Sequence, residues 1–177
     1  MTEKYIYDLA EGDATMRNLL GGKGAGVAEM SRAGVPVPDA FTVTTVACVE
    51  TMKRGGEWPE GLANQVAEGL HRLGERTGRA LGGKEKPLLV SIRSGAVFSM
   101  PGMMDTILNL GMSDDTVEAV AQEFGNERFA WDCYRRFIQM YGEVVEGVPQ
   151  HLYEDALSSL KAERGVENDT DLNAEDL

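Results

Sequence analysis

Cysteine is scarce in this chain, and the two that occur, Cys48 and Cys133, lie far apart in the sequence. Neither belongs to a Cys-x-x-Cys pair or a Cys/His cluster, so the sequence predicts neither a disulfide framework nor a structural zinc site. Long apolar runs are also missing, and the charged N-terminus has no apolar signal core. We therefore expect a cytoplasmic protein without a membrane partner.

Basic residues are also fewer than acidic ones. The chain has 17 Lys and Arg residues against 29 Asp and Glu residues, which gives a formal net charge of -12. A protein that holds bare nucleic acid or an anionic membrane needs a basic face, so both classes of partner are disfavoured. A small anionic ligand is compatible with this charge, because one or two cations and backbone amides suffice to hold a phosphate.

Hydrophobic periodicity, capping residues and glycine or proline breaks predict an α+β fold. The expected strands fall at residues 4–8, 40–44, 88–92 and 107–108. The expected helices fall at residues 27–32, 45–52, 62–81, 117–124, 128–145 and 152–164, and either Thr44 or Thr45 is expected to cap the second of them. We expect an α/β lobe over residues 1–112 and a helical subdomain over residues 113–177. The acidic tail of this subdomain, residues 163–177, is expected to be solvated. A last turn capped by Asn173 suggests a truncated chain or a natural fragment.

The segment at residues 87–110 is the most informative for function. Leu88, Leu89, Val90 and Ile92 form an apolar run that is typical of a strand covered on both faces. Arg93 follows at the exit of this strand. Ligands of open α/β sheets bind beyond the carboxyl ends of the strands, and a guanidinium with five donors suits a phosphate or carboxylate there. The alternative is a surface ion pair at a strand end.

The loop after Arg93 has the composition of a ligand-binding loop. Hydroxyl groups, glycine amides that can approach an oxyanion and adaptable methionines are combined in it. The candidate binding residues of this loop are Ser94, Gly95, Ser99, Gly102, Met103 and Asp105. Asp105 can either bind a cation or cap the following turn, and capping is favoured.

A second candidate is the glycine-lysine turn at residues 21–26, GGKGAG. A Walker A motif needs Gly and Ser or Thr where this chain has Arg17 and Gly24, and the dinucleotide fingerprint fails at Val27. What remains is a glycine-rich helix entry that carries Lys23. A tight turn with an exposed lysine is an equally good interpretation of these residues alone.

The other polar candidates are weaker. His71 lies on the predicted helix at 62–81 and His151 in a polar turn, and neither has a Ser or Cys arrangement beside it, so both are expected at the surface. Arg135 and Arg136 are most simply helix-surface cations paired with nearby acids.

Three stretches of the sequence carry a resemblance to a known family: GGKGAGVAEMSRAGVPVPDAFTVTT, LLVSIRSGAVFSMPGMMDTILNLG and FAWDCYRRFIQMYGEVV. They resemble the N-terminal nucleotide-binding part of the pyruvate, phosphate dikinase family over essentially the whole chain. The related phosphoenolpyruvate synthases share the glycine-lysine turn and the strand-Arg element, but their loop differs from SMPGMMDTILNLG. The resemblance therefore favours the dikinases.

The resemblance implies a function and a set of site residues. Enzymes of this family interconvert ATP, phosphate and pyruvate with AMP, pyrophosphate and phosphoenolpyruvate, using Mg²⁺, a monovalent cation and a phosphohistidine on a swivelling domain. Their nucleotide domain is ATP-grasp-like. The resemblance implies catalytic contacts of Lys23 and Arg93 with the nucleotide phosphates, and it places the loop from Ser94 to Asp105 over those phosphates.

It also implies that partners are needed. The second half of the ATP-grasp clamp with its magnesium-binding carboxylates, the phosphohistidine domain and the pyruvate-binding barrel have no counterpart here, so we assign no metal ligand and expect the isolated chain to be inactive. The expected partners are ATP, phosphate and the remaining domains of a homo-oligomeric parent enzyme. Two alternatives stay open: a stand-alone nucleotide-binding or regulatory module, and the nucleotide domain of a synthase-like phosphotransferase.

Overall fold

The computed structural model describes residues 3–95 and 105–177, and it has the predicted α+β composition. Its strands are β1 (Ile6–Asp8), β2 (Phe41–Val43), β3 (Val90–Arg93) and β4 (Thr106–Leu110). Its helices are α1 (Arg17–Arg32), α2 (Thr45–Lys53), α3 (Leu62–Thr77), α4 (Val117–Phe124), α5 (Glu127–Val144) and α6 (Gln150–Arg164). Within these ranges, no helix is both long and apolar enough to cross a bilayer.

The chain separates into two compact units. Among the described residues, the first unit comprises 3–78 with 94 and 95, and the second comprises 79–93 with 105–177. The predicted boundary between residues 112 and 113 falls within the second unit. As a boundary between an α/β lobe and a helical subdomain, it remains a prediction.

In the first unit, α1, α2 and α3 surround a small antiparallel sheet. Strands β1 and β2 pair with Ile6 opposite Val43, and the buried core combines Tyr5, Ile6, Ala47 and Leu62. The predicted cap of α2 is confirmed, since the Thr44 side chain accepts a hydrogen bond from the Ala47 amide at 3.3 Å. Helix α3 ends earlier than predicted because Gly78 adopts the left-handed conformation, with a φ of 67°.

In the second unit, helices α4 and α5 form a separate core with residues that flank the β3–β4 hairpin. Its buried residues are Met112, Val117, Val120 and Ala130, against which aromatic side chains of α5 pack. Helices α4 to α6 lie within two residues of their predicted bounds. Local periodicity was sufficient here because each helix has an apolar stripe and a polar opposite face.

The prediction that β3 is covered on both faces is wrong. Strand β3 pairs antiparallel with β4, and Ile92 keeps 50% of its surface exposed. A short apolar run does not reveal how many neighbours a strand has, because strand periodicity reports only local alternation. The described residues contain no parallel sheet that includes β3, so the expectation of a ligand site beyond parallel strand ends loses its basis.

The prediction of a solvated tail is wrong at Leu172, which is only 1% exposed. The Arg128 side chain on α5 donates from Nε to the Leu172 carbonyl oxygen at 2.7 Å and from Nη2 to the Asp169 carbonyl oxygen at 2.6 Å. The predicted capped turn is confirmed as a short 3-10 helix, Ala174–Asp176, in which Asn173 accepts from two amides. An acidic segment can therefore pack on the fold when one of its apolar side chains is buried and its backbone carbonyl oxygens accept hydrogen bonds from a neighbouring helix.

The histidines are exposed and the arginines are paired with an acid as predicted, but the prediction of a polar turn at His151 is wrong, because His151 lies in α6. His71 and His151 are both exposed. Arg135 and Arg136 each bond to Asp132 at 2.8 Å, as expected for cations paired along a helix.

Candidate functional site

The glycine-lysine turn lies inside α1, where Gly21 interrupts the helix. Its φ of 70° and ψ of 168° are not helical, and a positive φ is tolerated most easily by glycine. The helix predicted to begin at Val27 thus starts at Arg17, breaks at Gly21 and resumes before Lys23. A resumed helix presents new first-turn amides, the groups that bind anions at helix starts.

Gly24 and Gly26 in the same turn have different surroundings. A Cβ on Gly24 would lie 2.8 Å from Thr42 Cγ2 and 2.9 Å from Thr42 Oγ1, whereas a Cβ on Gly26 would meet nothing within 4 Å. Gly24 is therefore needed for the close packing of α1 on β2. This packing partner lies eighteen residues further along the chain, so the glycine pattern by itself could not reveal it.

Lys23 is the predicted site residue with the clearest contact. Its side chain is half-buried, and Nζ donates to the Ser94 carbonyl oxygen at 2.9 Å. Both residues belong to the first unit. The contact brings the lysine of the glycine-lysine turn to the first residue of the predicted ligand loop, although 71 residues separate them.

Arg93 ends β3 in the second unit, and its backbone pairs with Thr106 of β4. The residue is exposed. In the described part of the chain, its guanidinium has neither a hydrogen-bond acceptor nor a carboxylate partner, so the alternative of a surface ion pair finds no support there. That Lys23 and Arg93 act on one ligand remains a prediction.

The rest of the predicted loop is described only at its two ends. Gly95 is exposed, and a Cβ there would meet nothing within 4 Å. Asp105 is exposed and immediately precedes β4. Ser99, Gly102 and Met103 lie outside the described residues, and their binding roles stay predictions.

A polar cavity of about 310 Å³ occurs elsewhere in the first unit, and it contains none of the predicted site residues. It is lined by Lys4, Ile6, Asp8, Glu11, Gln65, Glu68 and Arg72. Lys4 pairs with Glu11, and Arg72 Nε bonds to Asp8 at 2.9 Å. Because these charges satisfy one another, the cavity is better explained as an ion-pair cluster than as a ligand site.

Metal ligands are not assembled in the ranges that the structure describes. No group of three or more His, Cys, Asp or Glu side chains there has the arrangement to hold a metal ion. Cys133, which lies beside the hairpin, is held in its thiol form because burial raises its pKa.

Asn109 is a residue of interest that the sequence prediction missed. It has a φ of 59°, the one positive φ of a non-glycine residue in the described ranges. Its side-chain Nδ2 donates to the Cys133 carbonyl oxygen of α5 at 3.3 Å. An asparagine two residues before a glycine at the end of an apolar strand is a signal that could have found it.

Comparisons with known proteins find a family whose profile covers the glycine-lysine turn. The profile of the family described as pyruvate phosphate dikinase, AMP/ATP-binding domain, matches residues 17–75. The pyruvate, phosphate dikinase of Clostridium symbiosum is 53% identical over 174 residues, which are 98% of this chain and 20% of the relative. The chain belongs to the pyruvate, phosphate dikinase family.

Other dikinases match this chain over a similar range. The enzyme of Rhizobium meliloti (strain 1021) is 51% identical over 97% of this chain and 20% of its own length. The chloroplastic pyruvate, phosphate dikinase 1 of Zea mays is 49% identical over 95% of this chain and 18% of its own length. The chain thus spans about a fifth of these relatives. These matches do not favour the synthase-like or stand-alone alternatives.

Proposed function

We propose that this chain is the N-terminal ATP-binding portion of a pyruvate, phosphate dikinase, which converts ATP, phosphate and pyruvate into AMP, pyrophosphate and phosphoenolpyruvate. The observation that carries the proposal is the 2.9 Å contact between Lys23 Nζ and the Ser94 carbonyl oxygen. It places an ammonium group of a family-matched glycine-lysine turn against the start of the predicted loop. The proposed nucleotide domain is ATP-grasp-like and cytoplasmic, and works within a homo-oligomeric enzyme.

The chemistry of Lys23 fits a nucleotide phosphate. An ammonium has three donors, so one can hold the Ser94 carbonyl oxygen while the others reach phosphate oxygens. The first-turn amides after Gly21 add donors and the positive end of a helix dipole. Together these groups offset part of the negative charge of a phosphate.

Arg93 is the second proposed phosphate contact. Its exposed guanidinium offers a planar set of donors, which matches two oxygens of one phosphate. The proposed loop, with Ser94, Gly95, Ser99, Gly102, Met103 and Asp105, covers the same phosphates. None of these residues is proposed as a metal ligand.

The reaction step requires another domain of the enzyme. In the proposed step, a histidine nitrogen bonds to the β-phosphorus of ATP, the bond from that phosphorus to the bridging oxygen of the α-phosphate breaks, and AMP leaves. Lys23 and Arg93 stabilise the negative charge on the phosphate oxygens during this transfer. Mg²⁺, bound by residues outside this chain, would supply further charge neutralisation.

Calorimetric titration of the chain with Mg-ATP tests the proposal. We expect Lys23→Ala and Arg93→Ala each to weaken binding by about 10- to 150-fold, the range for losing a hydrogen bond to a charged group. Lys53→Ala and Arg54→Ala serve as matched controls, because these cations are exposed on or beside α2. Circular dichroism checks that every variant is folded. Unchanged affinity in both site variants would contradict the proposed phosphate contacts.

The catalytic part of the proposal needs the remaining domains. A chimaera in which this chain replaces the matching fifth of the Clostridium symbiosum enzyme provides them. We expect AMP formation that depends on both pyruvate and phosphate. A folded chimaera that binds Mg-ATP but forms no AMP would argue against a dikinase role for this chain.

A further inference from the structure

The β3–β4 hairpin contains a bulge between its two ends. Val90 pairs with Leu110, Ile92 with Ile107 and Arg93 with Thr106. Between the first two pairs β3 advances by two residues and β4 by three, so β4 carries one additional residue at Leu108 or Asn109. Such a bulge bends its strand and changes where the following residues point.

Asn109 supplies the backbone conformation of this bulge. Its φ of 59° lies in the left-handed region, which asparagine adopts more readily than other non-glycine residues. A residue that resists this conformation favours regular pairing, and a shift of one residue in β4 would change which residue stands opposite Arg93.

The Asn109 side chain also connects the hairpin to helix α5 by a hydrogen bond. Nδ2 donates to the Cys133 carbonyl oxygen of α5 at 3.3 Å, and the Asn109 carbonyl oxygen accepts from the Met112 amide at 3.0 Å. Next to it, Gly111 approaches the chain before β3 so closely that a Cβ would lie 2.4 Å from the Leu88 carbonyl oxygen. One end of the hairpin is therefore fixed, and Arg93 lies at the other.

We propose that Asn109 is a positioning residue for Arg93: its left-handed backbone maintains the bulge, and its amide holds the hairpin on α5, so that Arg93 stays opposite Thr106. Its role in nucleotide binding rests on the proposed function, because Arg93 is the group that contacts phosphate there. Asn109 itself does not need to touch the nucleotide.

The first test needs no ligand. Cross-strand nuclear Overhauser effects in the labelled chain report which residues stand opposite Arg93 and Ile92. We expect Asn109→Ala to lose or shift the contacts of Arg93 with Thr106 and of Ile92 with Ile107. Asn109→Gly, which keeps the left-handed conformation, should retain the register with faster amide exchange. An unchanged contact pattern and unchanged exchange in Asn109→Ala would overturn the proposal.

The second test separates positioning from a general loss of stability. We expect Asn109→Ala to weaken Mg-ATP binding by about tenfold in the original chain but by less than about twofold in the Arg93→Ala background, since coupled residues are not additive. Asn64→Ala, at an exposed position of α3, is the matched control and should leave binding unchanged in both backgrounds. An equal factor in both backgrounds would contradict positioning through Arg93.

The two tests fail separately. If the original chain does not bind Mg-ATP while Asn109→Ala shifts the hairpin register, the register result supports the positioning of Arg93, and the nucleotide function of the isolated chain is what has failed. If the chain binds Mg-ATP and Asn109→Ala leaves the hairpin and the affinity unchanged, the positioning proposal is wrong and the proposed function stands.

Discussion

The two units hold their proposed phosphate-binding cations in different ways. In the first unit, Lys23 follows a helix break at Gly21, and the same turn is packed on β2 through Gly24. In the second unit, Arg93 ends the largely exposed strand β3, and the far end of its hairpin is held by Asn109 and Gly111. The first cation lies in a turn that packs on β2 and itself contacts Ser94, whereas the second depends on residues of the neighbouring strand β4.

The largest expected effect concerns the fixed end of the hairpin. Gly111→Ala would place a Cβ 2.4 Å from a backbone oxygen at a φ of 113°, and backbone cannot move aside as a side chain can. We expect a loss of about 3 to 5 kcal/mol in the free energy of unfolding, combining overpacking and backbone strain. Urea unfolding measures it, and Gly95→Ala is the control because a Cβ there meets nothing within 4 Å. A stable Gly111→Ala variant would show that the hairpin end is less constrained than the contact implies.

The next effect concerns the two cations during catalysis. In the chimaeric dikinase, we expect Arg93→Ala to remove about 2 to 4 kcal/mol of transition-state stabilisation, or roughly 30- to 1,000-fold in kcat/KM. Steady-state AMP formation measures this loss, with Arg54→Ala as the control. Turnover close to that of the unchanged chimaera would remove Arg93 from the proposed site and leave Lys23 as the sole cation assigned to it.

A smaller effect separates the two glycines after Lys23. Gly24→Ala should lower the free energy of unfolding by about 1 to 3 kcal/mol, because its Cβ would overlap the Thr42 side chain. Gly26→Ala should raise it by about 0.5 to 1 kcal/mol, since the position is open and alanine favours helix. Urea midpoints of the two variants give the comparison. Equal shifts would mean that α1 does not depend on close packing against β2.

The smallest effect is electrostatic and lies in the acidic tail. The hydrogen bond from Lys161 at 2.8 Å lowers the pKa of Asp169 below its ordinary value of 3.8. The ionised carboxylate therefore stabilises the fold at neutral pH, and this contribution is lost as the pH falls below 3.8 through the lowered pKa. We expect less than about 1 kcal/mol, because the pair is partly exposed.

Asp169→Asn tests this pair. It should reduce stability at neutral pH and make the acid side of the stability profile less steep, as followed by thermal unfolding between about pH 6 and pH 3. Asp155→Asn, on an exposed position of α6, is the matched control. Parallel pH profiles for Asp169→Asn and the original chain would contradict a stabilising role of the pair.

Prediction from the sequence was most accurate where structure depends on near neighbours. The caps Thr44 and Asn173 and the bounds of α4 to α6 follow from residues within one or two turns. The glycine-lysine turn and the strand-Arg element stand out in the sequence because their residue types fit an anion. Their joint action on a nucleotide is still a prediction.

Prediction failed where a residue's role depends on distant partners. The apolar run of β3 does not show that Ile92 is half-exposed in an antiparallel hairpin. The acidic composition of the tail does not show that Leu172 is buried. Gly24 resembled a residue of a phosphate turn, but its closest neighbour is Thr42. In each case the deciding contact lies on another element.

The sequence by itself determined helices α2 and α4 to α6, the caps Thr44 and Asn173, the acidic character and the residue patterns of the glycine-lysine turn and the strand-Arg element, because propensity, charge and local hydrogen bonding act over a few residues. Only the tertiary structure decided that Lys23 contacts Ser94 and that Gly24 packs on Thr42. It also decided that Asn109 lies at a bulge of β4 and donates a hydrogen bond to α5. These contacts join residues 18 to 71 positions apart, and they form only when packing brings separate elements within hydrogen-bond and van der Waals distance.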